Sequence, residues 1–133
     1  MERQLIALLL TIILELFAVL LLLYLLKFFH VESMKSPKEP STFIEKLCLC
    51  CCAASLCSHP FAWYFNAIFE AMIRQSIRFT LIELAVILVE SYFYVSLMGF
   101  KWKIGFLYSL MANLFSFLLG LKIYPLVIRF LGY

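Results

Sequence analysis

Aspartate is absent from the chain, and all 8 acidic residues are glutamates. Glycine is sparse, at 4 in 133 residues. These absences remove several enzyme classes. No glycine-rich loop can cradle a phosphate, no G-x-S-x-G elbow occurs, and no Ser-His-Asp arrangement can be assembled. Charge is scarce as well, at 14% of residues. The net charge is +3, but the basic residues are scattered, so the patch that nucleic acid requires is missing. The 5 cysteines all fall between positions 48 and 57. An odd number in one cluster argues against an extracellular disulfide framework.

What fills the chain instead is hydrocarbon. Hydrophobic residues make up 65% of it, the mean hydropathy is +1.03, and the apolar runs are too long for a soluble domain of this size. The pattern predicts an all-α integral membrane protein with four transmembrane helices, in which residues 1–133 form a single polytopic domain. The expected spans are 5–29, 44–69, 78–98 and 104–121. The first has no small-residue cleavage site after it and is expected to be retained. Residues 30–42, with Pro37 and Pro40, read as a solvated loop. Residues 70–77 read as an interfacial helical segment, where Glu70, Arg74 and Arg78 stand four apart and would stack as ion pairs. The tail, 122–133, is expected to extend the last helix or lie at the interface. Lysines and arginines flank the runs as membrane-edge anchors, but their numbers nearly balance between the two sides and do not orient the chain.

The last two spans are predicted to form a tight antiparallel hairpin about the short link Gly99 to Lys103. Glu83 and Glu90 lie two turns apart on one helix face, about 10.5 Å along the axis. Ser109, Asn113, Ser116 and Gly120 line the facing arm at steps of four, three and four. Equal depth pairs Tyr94 with Ser109, Glu90 with Asn113, Ile87 with Ser116 and Glu83 with Gly120. Small residues and interhelical hydrogen bonds of this kind drive helix association in lipid.

The middles of the four spans fall close to Glu15, His59, Glu90 and Asn113. A carboxylate at mid-span costs about 2.5–3.5 kcal/mol on insertion scales. Glu15 and Glu90 should therefore turn inward, and at least one should be protonated or paired. The intramembrane polar cluster expected is Glu15, His59, Glu83, Glu90 and Asn113. It could be hydrogen-bonded glue, a proton or cation site, or a metal site. No H-E-x-x-H or comparable ligand spacing occurs, so no metal, cofactor or catalytic residue is assigned. In the second span Cys48, Cys52, Ser55, His59, Ala62 and Asn66 form a polar stripe, and Pro60 should free a carbonyl near Leu56.

Cys48-Leu49-Cys50-Cys51 contains one C-x-x-C, which makes Cys48 and Cys51 a candidate thiol site. The segment from Glu45 to Cys50, together with four spans, resembles the quinone-linked disulfide-forming membrane enzymes. That resemblance implies thiol–disulfide exchange, but those enzymes relay through a second cysteine pair in a later loop, and no cysteine follows Cys57. Packing as small hydrophobes and S-acylation are the other readings of the cluster.

The functional expectation is a non-catalytic subunit of a larger membrane assembly or homo-oligomer, since four short spans leave little room for other machinery. Its partners would be the lipid bilayer and other subunits or copies of itself, with no nucleic acid. The alternatives are a small proton, cation or solute transporter or channel using intramembrane glutamates, and a thiol–disulfide oxidoreductase.

Overall fold

A computed structural model describes residues 2–28 and 40–132. Among them are four helices: α1, Glu2–Phe28; α2, Pro40–Phe69; α3, Gln75–Met98; and α4, Trp102–Phe130. Each contains a stretch long and apolar enough to cross a membrane, so the protein is a multi-pass integral membrane protein.

Local chemistry accounts for the ends of the helices. α2 begins on Pro40, at a position where a missing N–H leaves no intrahelical bond unmade. The predicted loop therefore gives way to helix two residues before Thr42, and residues 29–39 lie outside the described part. α3 stops at Gly99, whose φ of 67° is the left-handed cap that glycine adopts without a Cβ clash. α4 restarts at Trp102, with the amides of Ile104 and Gly105 bonded back to the Lys101 carbonyl. It then runs through Pro125 to Phe130, so most of segment 122–133 is a helical extension.

Residues 70–77 differ from expectation. α2 ends at Phe69, whose carbonyl accepts from the amides of Met72 at 3.2 Å and Ile73 at 3.1 Å. Arg74 is extended (φ −55°, ψ 137°), and α3 starts one residue later. The chain must reverse between two antiparallel helices, and it uses these residues to do so. Glu70, Arg74 and Arg78 therefore share no helix on which their four-residue spacing could stack them.

Helices consecutive in sequence pack against one another, and α4 closes the ring against α1. α1 and α3 lie diagonally, as do α2 and α4. This is the arrangement short connections favour in a four-helix bundle. α3 and α4 form the close hairpin that the short link requires.

Packing is uneven along the bundle. The core cluster is Val19, Leu22 and Leu23 of α1, Leu47, Cys50 and Cys51 of α2, Tyr94 of α3, and Tyr108 and Ala112 of α4. All of these lie between the bundle centre and the end that carries Gly99. Tyr108 is fully buried, with ring centroids 5.8 Å from Tyr94 and 5.2 Å from Phe100. Gly105 permits the close approach of α3 to α4. A Cβ there would stand 2.9 Å from Val95 Cγ2 and 3.0 Å from the Ser91 carbonyl oxygen. Toward the other end far fewer side chains are buried, and two cavities open between the helices.

Candidate functional site

The inner face of each helix sets a polar group at the floor of the packed half. On α1 the stripe Thr11, Glu15, Ala18 turns inward, and Glu15 is 1% exposed at the midpoint of the span Gln4–Leu26. On α3 the face Ser76, Thr80, Glu83, Ile87, Glu90, Tyr94 sinks progressively. Ser76, Thr80 and Glu83 are exposed, Ile87 is half-buried, and Glu90 and Tyr94 are buried.

Glu90 is the best-supplied acceptor. Ser58 Oγ donates to its Oε1 at 2.9 Å. Ser109 Oγ donates to its Oε2 at 3.2 Å, and Asn113 Nδ2 donates to the same oxygen. The equal-depth pairing of Glu90 with Asn113 thus corresponds to a direct contact. Ser109 also reaches the Ile87 carbonyl at 3.0 Å, which ties α4 to the backbone of α3. Glu15 is supplied differently. Its Oε2 is hydrogen-bonded to Ser55 Oγ, and its Oε1, although buried, has no partner among the described residues.

His59 is half-buried beside this pair, with Nδ1 3.1 Å from the Ser55 carbonyl oxygen and 3.4 Å from Ser58 Oγ. A ring nitrogen facing a carbonyl carries the hydrogen, and in the neutral ring Nε2 then keeps a lone pair. One ligand atom each from Glu15, His59 and Glu90 lie within 4.8 Å of one another. A cation placed among them would stand no more than about 2.8 Å from each, close to the ~2.3–2.6 Å at which oxygen ligands hold calcium. The three come from three different helices, which is why no spacing in the sequence marks them as a set.

A cavity of about 320 Å³ in the loosely packed half reaches His59 and Asn113, the neighbours of the two buried acids, and is also lined by Thr11, Glu83, Ser116 and Gly120. Glu83 stands apart from the buried pair, on the wall of the cavity. Ser116 is buried and donates to the Asn113 carbonyl at 3.0 Å. Ser109, Asn113 and Ser116 thus all lie within the bundle. Gly120 does not bring backbones together, since a Cβ there would meet nothing within 4 Å.

Cys48, Cys50, Cys51, Cys52 and Cys57 are all free thiols. Cys51 is buried in the apolar core and Cys48 is half-buried on the same helix, far from the exposed, electropositive setting that activates a thiol.

Of the hydroxyls that hold the acids, Ser55 and Ser109 stand on the polar stripes of the sequence and Ser58 does not. Ser55 was visible on the polar stripe of the second span, and Ser58, three residues on, shares its helix face. The close approach at Gly105 carried no separate signal. No protein-family model, curated protein sequence or solved structure matches the chain.

Proposed function

We propose that this four-helix membrane protein is a small proton or cation transporter whose binding site is the Glu15–Glu90 carboxylate pair with His59. The observation that carries the reading is two buried carboxylates facing one another at mid-bundle, one of them with an unsatisfied oxygen. No lysine or arginine is among the charged groups acting on either of them, within the described residues. Serine or asparagine alone would glue helices at far lower cost than an acid in hydrocarbon. Two acids side by side call for a positive partner: a shared proton, a proton on the adjacent His59, or a bound cation.

The hydroxyl contacts accommodate a shared proton. Ser55 Oγ lies within reach of both the Cys51 carbonyl, at 2.9 Å, and Glu15. It has one hydrogen. If that hydrogen goes to the carbonyl, the contact with Glu15 requires a hydrogen from Glu15 itself. The cavity supplies an approach from one side, and the packed layer of Leu47, Tyr94 and Tyr108 bars the other. A carrier must hold one such state and exchange it for its opposite. The subunit reading rests on chain size, the small-residue seam and the lack of catalytic motifs, and the enclosure of the acids by the chain's own helices gives it no further support.

The test is flux in reconstituted liposomes carrying a proton- or cation-sensitive dye. Wild-type protein should move protons or cations above the rate of empty vesicles, and Glu90→Gln and Glu15→Gln should each remove most of that flux while preserving helix content. Wild-type vesicles that are no leakier than empty ones to protons, sodium, potassium, calcium and zinc would reject the proposal. So would undiminished flux in both variants.

A further inference from the structure

A second cavity, of about 580 Å³, runs between α2 and α3 on the outside of the bundle. It meets the carboxylate site only at Ser58, the donor to Glu90 Oε1, which also lines this cavity. Its walls are Phe61, Phe65 and Phe69 from α2 and Ile82, Val89 and Phe93 from α3, and Arg78 is the charged residue in its lining. Arg78 is 6% exposed, and its Nε finds no hydrogen-bond partner among the described residues. Its guanidinium lies 5.6 Å from the Phe79 ring centroid, a contact with a ring face that uses none of its N–H groups as conventional donors. An arginine at a membrane edge ordinarily extends its charged head into water along its own stem. This one is held inside the groove instead, with donor capacity left over.

The surroundings of Arg78 have the same sign. α3 starts at Gln75, and Arg74 at its N-cap makes no side-chain cap. The first amides of a 24-residue helix therefore point outward beside two arginines. An uncapped helix N-terminus favours an anion, and phosphate in particular, through its free N–H groups and its dipole. From Arg78 to Phe93 the groove follows α3 for about 22 Å. That exceeds the ~15 Å depth of one leaflet, which is half of a ~30 Å hydrocarbon core. The volume lies within the ~300–1,000 Å³ range of ligand pockets.

We infer that this groove binds one anionic phospholipid from the surrounding leaflet. Its phosphate sits on Arg78, Arg74 and the start of α3, and one acyl chain lies along the phenylalanines toward Phe93. The charge of the arginines selects the head, and the length and apolar walls select the tail. A single apolar helix from a partner would fill the walls but leave the Arg78 donors unmet.

The experiment titrates delipidated protein in mild detergent with phosphatidylglycerol, with phosphatidylcholine of identical chains, and with the matching free fatty acid. Bound lipid is counted by native mass spectrometry. One phosphatidylglycerol per chain should bind in preference to phosphatidylcholine. Arg78→Gln should weaken that binding about tenfold, the scale of a lost charge-assisted hydrogen bond. Ala85→Phe keeps Arg78 and fills the groove, and it should weaken binding of both lipids. Equal retention of the two phospholipids, unchanged binding by Arg78→Gln, stronger binding of the fatty acid, or a lipid-free protein dimer would each overturn the inference. If Arg78→Gln loses its helical circular dichroism, Ala85→Phe decides alone, and undiminished phosphatidylglycerol binding by that variant refutes the site.

Discussion

The two halves of the bundle are built from the same four helices and the same apolar alphabet, yet they pack differently. The half that carries Gly99 is filled by interlocking side chains from all four helices. The half that carries the α2–α3 turn holds the 320 Å³ cavity, most of the α2–α3 groove, both helix-interior prolines and an unpacked Gly120. Connection geometry explains much of the contrast. The three-residue link after α3 holds α3 and α4 together from their first turn, and Gly105 lets them close further. At the opposite end Pro60 and Pro125 each remove a backbone N–H donor from the interior of a helix. The acids sit on the boundary between the halves, where one side can be sealed and the other reached.

The largest difference expected between the halves is access. In vesicles, a Gly120→Cys variant treated with a charged, membrane-impermeant thiol reagent should be modified at position 120 from one side. Cys50 and Cys51 should stay unmodified from either side, because they lie in the packed layer. Peptide mass mapping reads the sites directly. Modification of Cys50 or Cys51 as fast as position 120, or no reaction at 120 from either face, would erase the contrast.

Packing energy should differ next. Tyr108→Ala removes a fully buried ring from between Tyr94 and Phe100 and should cost about 3 kcal/mol in a denaturation assay in detergent. Phe65→Ala, at 45% exposure on the groove wall, should cost far less. Tyr108→Phe refines the point. The Tyr108 hydroxyl is buried without a partner among the described residues, so its removal should be neutral or stabilising. A large loss from Tyr108→Phe would mean that the hydroxyl is held by a group not seen in this state.

The four helices, the hairpin and the inward turn of Glu15 and Glu90 were legible because each is a one-dimensional property: an apolar run, a short link, or a charge too costly to face lipid. The contact of Glu90 with Asn113 followed from equal depth in an antiparallel pair. The rest depended on rotation about helix axes, which depth does not specify. Ile87 and Glu83 lie at the depths of Ser116 and Gly120, but α4 is turned so that Ser109 reaches the Ile87 carbonyl and Gly120 faces open space. The 70–77 segment was misread for a different reason. A four-residue spacing of charges describes a helix only if the backbone continues as one, and an antiparallel reversal must be made somewhere.

Glycine gives a smaller and more discriminating comparison. At Gly105 an added Cβ must displace Val95 Cγ2 and meets a backbone carbonyl that cannot yield easily. Gly105→Ala should therefore destabilise by about 1–3 kcal/mol, the usual scale of overpacking.

The smallest effect expected has the opposite sign. Gly120 lies inside α4 with nothing within 4 Å of a would-be Cβ. Glycine within a helix is worse than alanine by roughly 0.5–1 kcal/mol, because the unfolded chain gains more freedom from it. Gly120→Ala should thus raise stability by about that amount in the same denaturation assay. That gain requires the cavity beside Gly120 to be present in the bundle's resting state. If the helices closed over Gly120 in the membrane as they do over Gly105, the methyl would have nowhere to go, and both alanine variants would destabilise. Opposite signs at the two glycines would establish that the bundle rests sealed at one end and open at the other. Equal losses would instead describe a uniformly packed bundle, in which the carboxylates have no approach from either side.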